Sequence, residues 1–322
     1  MRQPEPEAEK YPEIELKLDK PTDSNTILLQ LGDICCALKC RDTEVYTRLQ
    51  QLYREFETER PPDITIDLEL TDRLSPEKLE TSVFKSQFLQ WGGTNFRTTH
   101  GIMSGKYDPA RRFIKIKGER NLCNPDLKIN HLNRLISLAY YSACKLKHNN
   151  IPPAMLVHTC GVVRNGRALL FTGPSGAGKT TVARLCGEQD GEVINDEMLL
   201  VSRPGKNDNV ISVQSAPILG KFPPQRNVTA PLRCIILLKQ GSSTQARRLD
   251  NTEAYIRFMR QIIAPACIGQ KDKRTIYSMM ADFSAQVTGV VPVYELEFTL
   301  NGESLWQTIG DIERTLDNKE RQ

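Results

Sequence analysis

Eight consecutive residues, Gly173, Pro174, Ser175, Gly176, Ala177, Gly178, Lys179 and Thr180, fit the pattern G-x-x-x-x-G-K-[ST]. That combination suits the holding of a polyphosphate. Glycines let successive backbone N–H groups turn inward on anionic oxygens, the lysine reaches the outer phosphates, and the Thr180 hydroxyl can ligate Mg²⁺. The flanks agree. Arg167, Ala168, Leu169, Leu170, Phe171 and Thr172 read as a buried strand feeding the loop. Residues 181–186 carry helix formers with apolar positions a turn apart, so the phosphates would meet a helix N-terminus. Thr181, beside Thr180, joins the expected nucleotide-binding set.

A second group of residues stands close by. Glu192, Val193, Ile194 and Asn195 form a short strand-like stretch that runs into two carboxylates, Asp196 and Glu197. Only one helix of roughly four turns at most fits between Lys179 and this stretch. The acids therefore belong to the strand that follows the loop's own helix. Carboxylates at a strand end beside a phosphate loop lie where open α/β sheets bind ligands, and Asp196 and Glu197 are expected to serve metal or proton chemistry.

From Leu156 to Val201 the chain resembles the catalytic domain of HPr kinase/phosphorylase and its relatives, which share a fold with phosphoenolpyruvate carboxykinase. His158 lies ahead of a Gly-Val-Val strand, Arg164-Asn165-Gly166 turns into a second strand, and the phosphate loop and acidic pair follow in that order. The resemblance is nearer to HPr-kinase-related proteins than to HPr kinase itself. Gly105-Lys106-Tyr107-Asp108 matches a Gly-aromatic-Asp element of those relatives; Pro217-Ile218-Leu219-Gly220 and the apolar run from Leu232 to Leu238 match later segments. Two departures stand out. Glu197 replaces an aspartate, and the Gly-rich segment beyond the acidic pair of HPr kinase is absent.

The resemblance implies an α/β fold, a P-loop carboxykinase-like catalytic domain preceded by a smaller α+β domain. It implies ATP and Mg²⁺ as cofactors, and a protein or peptide serine as phosphoryl acceptor. By the same resemblance Asp196 would accept or orient the proton of the acceptor hydroxyl, Glu197 would make a second metal or acceptor contact, and His158 would lie near the transferred phosphate. With Thr180, the two acids form the expected metal set. A small-molecule kinase using the same phosphate site, or an ATP sensor without turnover, would share these residues.

Elsewhere the chain is ordinary in composition. Its 322 residues are 39% hydrophobic and carry 43 basic against 39 acidic side chains, a net charge of +4. The short mixed run Lys271, Asp272, Lys273, Arg274 is no substitute for the dense basic stripe of a nucleic-acid binder. No segment approaches the ~20 apolar residues that cross a bilayer, and the first residues lack a signal-peptide core. A cytoplasmic protein is expected, with no membrane or nucleic-acid partner and with homo-oligomerisation left open. Of nine cysteines, Cys35, Cys36 and Cys40 fall on one expected strand and the other six are scattered without paired C-x-x-C spacing, so they read as reduced core residues.

The Pro- and Glu-rich stretch 1–23 is expected to be a flexible tail. An accessory or docking domain is expected over 24–150 and the catalytic domain over 151–322, with the boundary at Asn149-Asn150-Ile151-Pro152-Pro153. Strands are expected over 26–31, 33–38, 63–70, 113–116 and 293–298. Helices are expected over 43–57, 126–147, 252–263, 273–287 and 304–316. His100 and His131 read as packing or surface residues. The segment 217–229, rich in Pro and Gly, is expected to border the site and to move.

Overall fold

A computed structural model of the chain describes residues 25–71, 89–92, 95–98, 103–123, 131–149, 151–205, 210–221, 226–264 and 273–320. The tail expected over 1–23, His100 and the start of the helix expected from 126 lie outside them. The described residues form a mixed α/β structure with two sheets.

The first sheet comprises β1 (Asn25–Leu31), β2 (Ile34–Cys40), β3 (Ile64–Thr71), β4 (Leu89–Gly92), β5 (Asn95–Thr98), β6 (Met103–Asp108) and β7 (Phe113–Glu119), in the spatial order β1-β2-β3-β7-β6-β5-β4. Helix α1 (Thr43–Tyr53) carries the parallel crossover from β2 to β3, and the Asp42 carboxylate caps it by accepting from Val45 N at 3.1 Å. The alternation in β3 places Ile64, Ile66 and Leu68 in the core. The short β4 and β5 (four residues each) and β6, whose burial alternates only over its first residues, offer too little length for a reading of periodicity; Gly105-Lys106-Tyr107-Asp108 lies in β6.

Helix α2 (His131–Lys147) joins the two halves. An amphipathic surface helix would bury one stripe, but here 13 of 17 residues are buried. The cause is its place between layers. It packs on β2 and β3 on one side. On the other, the Tyr140 hydroxyl donates to Ala154 O at 2.8 Å, and the Tyr141 hydroxyl donates to Ile263 O at 3.0 Å while accepting from Leu156 N at 3.0 Å. One hydrophobic core accordingly contains Leu29, Ile66 and Leu135 together with Leu156, Leu199 and Phe283. The core is continuous across position 150, where a boundary was expected.

The second half contains β8 (Ala154–Arg164), β9 (Arg167–Thr172), α3 (Lys179–Gly187), β10 (Glu192–Asn195), β11 (Met198–Ser202), β12 (Ser212–Ser215), β13 (Thr229–Gln240), β14 (Gln245–Arg248), α4 (Asn251–Met259), α5 (Lys273–Val290), β15 (Val293–Phe298) and α6 (Gly302–Glu320). Strands β9, β13 and β15 run parallel, with β13 central. Long strands β8 and β13 each change partners along their length. As a result β8, β11, β12, β13 and β9 close a ring of hydrogen-bonded strands. A second core of Val162, Phe171, Val182, Ile236, Leu296 and Ile309 packs α3 and α6 on this sheet. Fully burying one such side chain stabilises the fold by about 1.5–3 kcal/mol. Among the described residues no helix is long and apolar enough to cross a membrane.

Candidate functional site

The phosphate-loop pattern begins where β9 ends. A two-residue turn aims that strand: Asn165 (φ 50°) and Gly166 (φ 72°) both adopt the left-handed conformation, and Arg164 pairs with Arg167 across the β8–β9 hairpin. Because β9, β13 and β15 are parallel, their carboxyl ends meet at one edge. Gln240, last in β13, donates Nε2 to Gly176 O at 2.8 Å. Phe298, last in β15, lies against Gly178, where a methyl group would meet the ring at 2.7 Å and where φ is 102°. Glycine is required there for space and for conformation.

Within the loop, Ala177 N donates to Pro174 O at 3.1 Å, while Pro174, Ser175 and Gly176 are exposed. Gly178 is the cap residue of α3 and has no side chain with which to bond the first-turn N–H groups. A helix start of this kind accommodates an anion. Lys179 opens the helix and is buried; its Nζ donates to Gly173 O at 3.0 Å and Pro174 O at 3.3 Å. Burial lowers its pKa, and Glu197, Cys160 and Asp196 oppose that effect. Thr181 is half-buried on the same turn.

The acidic pair sits in an interruption of one long strand. Both β10 and β11 run antiparallel to β8, with Asn195 opposite Gly161 and Met198 opposite His158. A register shift between Val193 and Asn195 marks a bulge, a device that re-aims side chains beside functional sites. Asn195, buried, organises the break. Its Oδ1 accepts from Glu197 N at 2.7 Å and Met198 N at 3.1 Å, and its Nδ2 donates to Ile218 O at 2.8 Å. Asp196 is thereby turned toward α3. Thr180 Oγ1 donates to Asp196 Oδ2 at 3.0 Å, and Lys221 N donates to Asp196 Oδ1 at 2.8 Å.

His158 and Glu197 are half-buried. Burial, with the charges of Lys179 and Arg134 adding to it, lowers the His158 pKa to about 4, so the ring is neutral at pH 7. Glu197 shifts the opposite way. Burial and the neighbouring Asp196 raise its pKa, against the pull of Lys179, Lys221 and Arg134. Both shifts have burial as their first cause, since it disfavours the charged form of either side chain, and perturbed groups beside a phosphate-loop pattern mark a place fit for proton chemistry.

The structure thus brings Lys179, Thr180, Asp196, Glu197 and His158 to one place. It adds residues that motif reading passed over. Asn195 was adjacent to the acids and could have been singled out as a side chain suited to bonding nearby backbone. Arg134 and Asn133 of α2 carry no local signal, since only the packing of α2 brings them near. The segment expected to move is held over its first residues by bonds to Ile218, Leu219 and Lys221; residues 222–225 lie outside those described.

Residues 121–316, more than half of the chain, match the family model described as "SynChlorMet cassette protein ScmC". This is a different family from the HPr-kinase-related group that the sequence resembles. No curated protein matches the chain. Among 77 matching chains of solved structures is one described as "Structure of the Hpr(Ser) kinase/phosphatase from Coxiella burnetii", at 7% identity and a TM-score of 0.29. The match covers 50% of this chain and 98% of that one. A likeness that weak decides neither fold nor chemistry.

Proposed function

The chain belongs to the ScmC family, and we propose that it is an ATP- and Mg²⁺-dependent phosphotransferase. One observation carries this reading above the rest. The hydroxyl of Thr180, at the start of α3, and the carboxylate of Asp196, in the break between β10 and β11, meet at 3.0 Å beside Lys179.

Hard oxygen donors on two facing elements fit Mg²⁺, which takes one or two protein ligands and completes its shell with phosphate and water. In the proposed site Thr180 and Asp196 would hold it, and the ion would neutralise phosphate charge. The loop N–H groups and the start of α3 would bind the nucleotide's phosphates. Lys179 would leave its loop carbonyls for the outer phosphate and stabilise charge developing there. Asp196 already bonds Thr180 and Lys221 N, so the acceptor's proton falls more naturally to Glu197, whose pKa is raised. His158, neutral at pH 7, would offer a hydrogen bond without adding charge.

The acceptor rests on the sequence resemblance alone, which points to a serine of a protein or peptide. Incubating the purified protein with γ-labelled ATP, Mg²⁺ and a lysate of its host, and then locating the label, tests the reading. Label on a protein serine supports it in full; label on a small metabolite keeps the phosphotransferase and replaces the acceptor. ATP binding without any transfer or hydrolysis would leave a sensor and overturn the catalytic reading.

A further inference from the structure

We infer that Asn133, in the N-terminal half of the chain, is a positioning residue that sets the Asp196 carboxylate through the backbone of residues 219–221. The inference rests on the reading of Asp196 as the metal-side carboxylate.

Asn133 lies in the first turn of α2 and is buried, with 2% of its surface exposed. Its side chain spends both polar groups on one distant residue. Nδ2 donates to Leu219 O at 2.8 Å, and Oδ1 accepts from Leu219 N at 2.8 Å. A carboxamide can serve a backbone N–H and C=O together, which fixes both the position and the rotation of the peptide units flanking Leu219. Aspartate would lack the donor and leucine would lack both groups.

What Asn133 holds is in contact with Asp196. Gly220 follows Leu219, and any side chain there would overlap Asp196 Oδ1. Lys221 N then donates to that same oxygen at 2.8 Å. On the other flank, Asn195 holds Ile218 O. The segment is thus pinned on both sides of Gly220, one carboxylate oxygen of Asp196 is engaged by it, and the other is left facing Thr180. Two asparagines, one from each half of the chain, share this task. Supporting groups behind a metal ligand commonly contribute about 10–100-fold to metal affinity.

Two readouts test the inference on the full chain. The first needs no ligand: amide hydrogen exchange at Lys221. The second is the gain in ATP affinity on replacing EDTA with Mg²⁺, measured by calorimetry. In Asn133→Ala we expect faster exchange at Lys221, and the Mg²⁺-dependent gain should fall about tenfold or more. Affinity for metal-free ATP should be unchanged. Placed on an Asp196→Asn background, Asn133→Ala should add no further loss of that gain. Gly220→Ala leaves the Asn133 contact in place but crowds Asp196, and should reproduce both effects; it keeps the inference open to refutation if Asn133→Ala fails to fold. Unchanged Lys221 exchange in Asn133→Ala, or a loss that adds in full to that of Asp196→Asn, would overturn the inference. If the wild type shows no Mg²⁺-dependent gain, the metal reading of Asp196 fails, and Lys221 exchange alone then decides the part played by Asn133.

Discussion

Thr180 and Asp196 are joined by a 3.0 Å hydrogen bond, although one lies in the first turn of a helix and the other in the break of a strand. The bond exists because the β8–β9 hairpin delivers the loop to one edge of the sheet while the bulge at Asn195 turns the neighbouring strand's carboxylate to meet it. A hydroxyl and a carboxylate held in this way make the proposed metal site, and its members separate by their expected responses to substitution.

Asp196→Asn should preserve the fold, since the amide oxygen can still accept from Lys221 N while the amide NH2 donates to the Thr180 hydroxyl oxygen, reversing that bond. The expected loss is in metal affinity. Calorimetry should show metal-free ATP binding close to wild type and a Mg²⁺-dependent gain reduced about tenfold or more. An unaltered gain would remove Asp196 from the metal site.

Glu197→Gln separates proton transfer from binding. Affinity for Mg·ATP should stay within a few-fold, and phosphoryl transfer should drop about 10²-fold or more, the usual worth of a positioned base. Transfer at the wild-type rate would return the role to Asp196 or show that no base is needed.

Lys179 is more firmly embedded than a loop lysine would be, since its ammonium bonds two loop carbonyls. Lys179→Met keeps much of the apolar stem and removes the charge. ATP binding should be lost or strongly weakened. Thermal stability should change by about 1 kcal/mol, the scale of a lost hydrogen bond. Undiminished ATP affinity would dismiss the loop as the nucleotide site.

His158 predicts a pH dependence. Its pKa falls from 6.5 in the unfolded chain to about 4 in the fold, so between those values the unfolded state takes up a proton that the folded state refuses. Its contribution to stability is therefore complete above pH 6.5 and declines as pH falls toward 4. His158→Gln lacks this loss. Melting curves from pH 7 to pH 4 should show the variant gaining on the wild type as pH falls. In Arg134→Ala, the histidine's NMR titration should move upward, because a neighbouring positive charge is gone. A constant difference between the melting curves would contradict the proton linkage.

The local chemistry was legible in the chain. The strand from Arg167 to Thr172, the glycines of the phosphate loop, the helix over 181–186, which α3 contains, and the strand from Val293 to Phe298 all lie where periodicity and motif place them. Each depends on neighbours within a few residues, through backbone conformation and alternation of apolar side chains. The nearness of Asp196 to the loop was also readable, since one helix separates them in sequence. What remained hidden is what packing alone brings together. Nothing local announces that α2 is buried on nearly every side, because its pattern reads as one apolar face until a second sheet covers the other. Nor does sequence place Asn133 on Leu219, 86 residues away, or Arg134 beside His158. The pKa shifts of His158 and Glu197 likewise depend on burial and on charges from three separate elements, which exist only once the chain has closed around the site. The chain's own residues thus specify a phosphate loop and a neighbouring acid. Tertiary packing decides how that acid is aimed, because the hydrogen bonds that aim it run between segments far apart in sequence.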